Sequence, residues 1–217
     1  MIININKPVD WSSFDVVKKI RHVTKHKKVG HGGTLDPFAT GVLMIGTEKD
    51  TKTLSHIANA NKIYEAELTL GKTTNTLDTE GEVVSKISTP NLNLNFIIDI
   101  LKSFIGHQKQ SPPMFSAKKH KGIRLYKLAR KGIEVEREDI DIFIKKIDLL
   151  NFDGEIIKFR VECSKGTYIR VLGSDIAVKL GTIGYLTGLT RTKVGEYSIN
   201  ESLSIESFME SWKSINH

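Results

Sequence analysis

The sequence predicts an α+β protein with a mixed, largely antiparallel central sheet flanked by helices, and three observations predict it. Segments of alternating hydrophobicity follow one another through a short turn, as between residues 140 and 163. Helical segments are interspersed irregularly, without the regular alternation that builds a parallel sheet. No repeat period, low-complexity tract or Pro/Ser-rich linker divides the 217 residues, so one domain over 1–217 is the economical reading. A chain of this length buries roughly 70% of its unfolded surface and needs no staple to fold.

Taken in order, Ser12 and Asp15 make a capping-box-like start for a helix whose apolar positions Val16, Val17, Ile20 and Val23 have helical spacing. Tyr64, Ala66, Leu68 and Leu70 alternate with Ile63, Glu65, Glu67 and Thr69, a strand with one packed face, and Gly71 ends it. Asn93 and Gly106 bound a helix from about Leu94 to Ile105, beyond which "QKQSPPMFSAKKHKG" reads as an irregular surface excursion. Two strands flank Asp153-Gly154, a two-residue hairpin signal. A helix from about Val171 to Leu180, a strand in "LTRTKVGEYSI" and a helix from about Ser204 to Trp212 close the chain.

Composition narrows the function. The lone cysteine, Cys163, forms no internal disulfide, and no Cys/His spacing matches a zinc site, which favours a reducing, cytoplasmic setting without metal. No segment reads as a signal peptide or a membrane span. The net charge of +7 favours a polyanionic partner, and its distribution is more informative than its sum. Between Asp15 and Asp36 lie six Lys or Arg and no acid; from His107 to Gly132 lie eight, again with no acid.

"KVGHGGTLDPFATG", residues 28–41, carries the chemistry. A dinucleotide fingerprint needs glycine where Leu35 stands, and a P-loop needs Lys and Ser/Thr after its last glycine, so neither phosphate cradle fits. Asp36-Pro37 starts a turn, and the glycines allow positive φ, which alone accounts for many such segments. A carboxylate working on a sugar or base from a dry site needs a fixed cation beside it. Arg170, ending "SKGTYIR", is the candidate, since a guanidinium stays charged and grips a carboxylate at two points. Tyr64 could offer an aromatic face to a base, though on period alone such a tyrosine is more often a core residue. A nucleoside hydrolase using the same carboxylate remains open, although that chemistry usually takes a second carboxylate.

"INKPVDWSS", "VGHGGTLDPFATGVL", "KIYEAELTLGKTTNTLDTEG", "QSPPMFSAKKHKGIRLYKLARKG" and "VECSKGTYIRVLGSDIAVKLG", in this order, resemble the TruB family of tRNA pseudouridine synthases. The resemblance runs from Asn6 to about Gly195 and implies the pseudouridine synthase fold. It also implies isomerisation of the T-loop uridine at tRNA position 55, with no cofactor or metal. The family's catalytic aspartate falls on Asp36, attacking the anomeric carbon or removing a 2′-hydrogen; both routes stay open. Its active-site tyrosine falls on Tyr64 and its basic partner on Arg170. Leu189 aligns with an apolar residue near the flipped base, and His31 with a histidine that inserts where bases have left. Lys7 and Pro8 resemble a motif under the active-site floor, and Lys7 is counted among the substrate-binding residues. The basic segment at about 107–132 resembles an insertion that clamps the T-arm, with Lys118, Lys119, Lys121 and Arg124 as its RNA contacts. Further expectations are a monomer, no membrane association, and a short form without the PUA domain that follows in typical bacterial members.

Overall fold

The computed structural model describes residues 1–215. Two compact units divide the chain, one formed by Met1–Glu65 together with the chain from Gly188 onward, the other by Ala66–Thr187. Two strands, β4 and β12 below, contribute residues to each.

The first unit opens with β1 (Ile2–Lys7), α1 (Ser13–Thr24), β2 (Val29–His31), β3 (Thr40–Thr47), α2 (Leu54–Asn59) and the start of β4 (Lys62–Leu70). Along β3, Val42, Leu43, Met44 and Ile45 are all fully buried. A strand covered on both faces reads as a continuous apolar run rather than an alternation, and this one is central. It pairs antiparallel with β1 (Ile5 opposite Leu43) and with β2 (His31 opposite Ile45). Val42 and Met44 share a face and pack with Leu54, Ile57 and Val194. The predicted cap of α1 is present: Ser12 accepts from the Asp15 N–H while the Asp15 carboxylate accepts from the Ser12 N–H. The Ser12 hydroxyl also donates to that carboxylate and holds it below the usual range.

The second unit takes the rest of β4, then β5 (Lys72–Thr74), β6 (Val83–Lys86), α3 (Leu94–Lys102), β7 (Gly106–Gln110), β8 (Lys119–His120), β9 (Ile123–Arg124) and α4 (Leu125–Ala129). After these come β10 (Ile140–Phe152), β11 (Ile156–Cys163), α5 (Ile169–Lys179) and the start of β12 (Gly184–Val194). Its strands run in the order β12-β4-β11-β10-β7, and α3 lies against β10. The burial pattern of β4 matches the expected alternation, with Tyr64, Ala66, Leu68 and Leu70 buried. The chain then returns to the first unit through the end of β12, β13 (Tyr197–Ser198) and α6 (Ile205–Ile215). There β12 runs parallel to β3, with Arg191 opposite Gly41, and antiparallel to β13. The ladders β1–β3, β2–β3, β7–β10 and β10–β11 are antiparallel, so the sheet is mixed and largely antiparallel, as expected.

Two local expectations change. The hairpin turn is centred one residue later, on Gly154-Glu155, because the Asp153 carboxylate accepts the N–H groups of Glu155 and Ile156 and caps the turn from outside. The excursion after α3 is also more regular than its composition suggests. Its polar start, β7, pairs with β10 (His107 opposite Phe143), and Lys121-Gly122 turns the small β8–β9 hairpin. Leu125 of α4 is buried to 1% exposure and anchors the segment. Among the described residues, no helix is long and apolar enough to cross a membrane.

Candidate active site

Asp36 begins a tight turn: the Ala39 N–H donates to the Asp36 carbonyl at 3.1 Å, and Pro37 takes the position whose φ proline presets. On the N-terminal side, Leu35 is 4% exposed and exchanges two hydrogen bonds with the Ser13 hydroxyl, donating at 2.8 Å and accepting at 3.0 Å. On the C-terminal side, the Pro37 carbonyl accepts from the Asp10 N–H at 2.9 Å and from the Lys7 ammonium at 3.1 Å. The carboxylate thus stands on a loop pinned at both ends, itself half-buried.

The structure corrects the placement of Lys7 among the RNA-contacting residues. Its side chain is fully buried, and its ammonium donates to the carbonyls of Pro8, Trp11 and Pro37. Three carbonyls match the three donors of an ammonium, which offsets desolvation and leaves no surface for a phosphate. Through Pro37 the Lys7 ammonium is tied to the residue that follows Asp36.

A second buried cation holds the same loop and was not foreseen. Arg191 is 1% exposed; its Nε donates to the Val42 carbonyl at 2.8 Å, Nη2 to Gly33 at 3.1 Å and Nη1 to Thr34 at 3.4 Å. Period-2 spacing puts it on the face of Leu189, and an arginine in an apolar register was the available signal. Gly41 permits this approach: at φ +103° its backbone lies so close that an added Cβ would overlap the Arg191 carbonyl and sit 2.8 Å from the Arg191 nitrogen. The sequence places glycine where two strands nearly touch.

The remaining first-unit candidates lie on neighbouring strands. Leu189, 8% exposed, precedes Thr190, which sits opposite Thr40 at the start of β3 and shares a hydroxyl hydrogen bond with it at 2.9 Å. Tyr64, also 8% exposed, lies on β4 beside Ile63, whose carbonyl accepts from the Thr192 hydroxyl of β12. His31 is half-buried on β2.

Arg170 belongs to the second unit. It is 4% exposed, and its Nη1 lies 3.2 Å from a carboxylate oxygen of Asp78 while also donating to the Thr76 carbonyl at 2.8 Å. Asp78, 1% exposed, accepts in addition from the Thr76 hydroxyl and the Glu80 N–H. Asp78 carries no signal in the sequence, where Arg170 is expected beside Asp36: "NTLDTEG" has the composition of a polar turn, and periodicity does not reveal a buried turn carboxylate. Nη2 of Arg170 donates to the Phe115 carbonyl at 2.8 Å and so fastens the root of the basic insertion. On that insertion Lys119, Lys121 and Arg124 are exposed, whereas Lys118 is half-buried with its ammonium on the Glu138 carbonyl.

Residues 21–169 match the family model described as TruB family pseudouridylate synthase (N terminal domain). The tRNA pseudouridine synthase B of Dehalococcoides mccartyi is 43% identical over 204 residues, covering 94% of this chain and 68% of that protein. That of Clostridium acetobutylicum is 46% identical over 209 residues, 96% of this chain and 72% of the relative. That of Parabacteroides distasonis is 43% identical over 218 aligned residues, with 96% and 93% covered. Among solved structures, a chain of a Cbf5-Nop10-Gar1 complex superposes with a TM-score of 0.78 at 28% identity. A chain of an H/ACA RNP bound to a substrate RNA containing 2′-deoxyuridine gives 0.73 at 26%. Both are covered over all of this chain, which spans 56% and 55% of theirs. Fold and matches together define a pseudouridine synthase, an isomerase. The chain belongs to the TruB family of pseudouridylate synthases.

Proposed function

We propose that the protein converts the T-loop uridine at position 55 of tRNA to pseudouridine. The glycosidic bond from ribose to N1 breaks, the uracil turns, and C5 bonds to the ribose. The C5 proton is released and N1 ends protonated, so the change is an isomerisation that consumes no co-substrate. The observation that carries this reading is the mounting of Asp36, fixed through Leu35 by Ser13 and through Pro37 by Lys7. A carboxylate that must meet one atom of an extruded nucleotide needs a rigid base of this kind.

In this reading Asp36 acts as an anion on the ribose and Arg170 supplies the cation that favours its ionised form. Tyr64 is the aromatic floor for the base, while Leu189 walls the pocket and His31 enters the space the base leaves. Lys118, Lys119, Lys121 and Arg124 meet T-arm phosphates, through an attraction that weakens as salt rises. The substrate assignment is supported by relatives named for tRNA. We assign the enzyme to the cytoplasm and expect it to act as a monomer.

The test is Asp36→Asn on a tRNA transcript carrying tritium at C5 of its uridines. Tritium release should fall by at least about a thousandfold, as for loss of a covalent or general-base group, with RNA binding retained. A variant that still releases tritium overturns the assignment of Asp36, and free uracil among the wild-type products overturns isomerisation in favour of hydrolysis.

A further inference from the structure

The first of the two acid-free basic blocks has no place in the site described above. In the structure Lys18 and Arg21 of this block share one face of α1 with Phe14, and Lys25 follows as the C-cap of the helix. Phe14, Lys18, Arg21 and Lys25 recur at spacings of four, three and four residues and are all exposed, while Val16, Val17, Ile20 and Thr24 are buried on the other side. Lys27 and Lys28 continue the positive surface past the helix end.

We propose that this outer face of α1 is a second RNA-binding surface, on which the substrate's phosphate backbone lies along Lys18, Arg21 and Lys25 and an unpaired base stacks on Phe14. The inference rests on the proposed RNA substrate and adds a contact to it. Position is the first support. Ser13, the first residue of α1, is bonded to Leu35 beside Asp36, so the stripe begins at the reaction loop and leads away from it. A helix of 12 residues is about 18 Å long, enough to follow several charges of a duplex that carries one per ~1.7 Å of axis.

The chemistry along the stripe is the second support. The apolar groups are at the end nearest Asp36, where Phe14 and Val9 are each 53% exposed; the cations lie beyond. This order suits a folded RNA whose unpaired bases are at the loop and whose phosphates line the stem. A membrane-binding helix would instead carry apolar groups along its whole length. The cations are available: Arg21 uses one donor on the Val29 carbonyl, and Lys18 lies 5.0 Å from the centre of the Phe14 ring, a pairing that would present aromatic face and charge together. Asp15, 3.5 Å from Lys18, has one carboxylate oxygen engaged by Ser12. Lys25 occupies the left-handed C-cap (φ 59°), a position glycine more often fills.

The experiment measures binding of the full chain to a tRNA transcript across a salt series, with tritium release recorded separately. The triple variant Lys18→Ala, Arg21→Ala, Lys25→Ala should lower the slope of log K against log salt by about 2–3. Phe14→Ala should weaken binding roughly tenfold at unchanged slope. A triple Gln variant, which keeps the aliphatic stems, must reproduce the effect with an unchanged melting temperature. A control removing equal charge elsewhere, Lys86→Ala, Lys102→Ala, Lys213→Ala, should leave the slope as it was. An unchanged slope in the α1 variants overturns the proposal, as does an equal change in the control. So does retained RNA binding with lost binding to phosphatidylserine vesicles, which would make the face a membrane contact. Wild-type protein that binds the transcript through this face yet releases no tritium would overturn the isomerase reading alone.

Discussion

Arg170 and Arg191 are both buried, and each ties down a loop by donating to backbone carbonyls. They differ in what balances the charge. Arg170 has Asp78 at 3.2 Å, whereas the Arg191 guanidinium meets only the carbonyls of Gly33, Thr34 and Val42 among the described residues. The first arrangement sets a carboxylate directly against the guanidinium. In the second, backbone dipoles satisfy the donors without cancelling the charge, so a positive potential remains in the loop that carries Asp36. Holding that cation out of water carries a desolvation cost, which the three carbonyls offset.

The sharpest way to break the comparison is Arg170→Ala. It leaves Asp78 buried without its counter-ion, and the loss should be about 3–5 kcal/mol of stability in urea unfolding. Arg191→Met removes a charge that has no ionic partner among the described residues and leaves three carbonyls short of a donor, so it should cost less, about 2 kcal/mol. Its larger effect should fall on kcat for tritium release, because the Gly33–Thr34 stretch before Asp36 loses its tether. Equal stability losses in the two variants would mean that ion pairing is not what separates the sites.

The smallest expected effect lies at the α1 cap, where the charge is exposed. Ser12→Ala should cost about 1 kcal/mol. Because Ser12 lowers the folded-state pKa of Asp15, that carboxylate's contribution is present above its unfolded pKa and is lost as pH falls through the folded one. The difference in melting temperature between wild type and Ser12→Ala should therefore shrink on acidification below about pH 4, and a constant difference would contradict it.

Much of this was legible where local chemistry decides the outcome. Ser12 and Asp15 announce a helix start because a capping box is written within four residues. The alternation about Tyr64 survives because one face of β4 is packed. The Asp153-Gly154 turn was displaced by one residue because composition marks a turn without saying which pair occupies its centre. β7 escaped notice because "GHQKQ" has no apolar period, and its order comes from pairing with β10. Lys7, Asp78 and Arg191 escaped for a shared reason. A charged residue is assumed to face water until its partners are known, and theirs include ones 30, 92 and 158 residues away at Pro37, Arg170 and Gly33. The position of Asp36 was readable from its loop, whereas the cations that hold its surroundings were readable only from the fold.

The near-contact of Gly41 with Arg191 bears on how this protein can vary. Space for one methyl group is missing between segments 150 residues apart in sequence, so they form a single unit of inheritance. A side chain at position 41 could enter only together with a withdrawal of β12, and that withdrawal would carry the Arg191 guanidinium away from the Gly33–Thr34 stretch before Asp36. Drift at either position is thereby held to changes that keep the other in place.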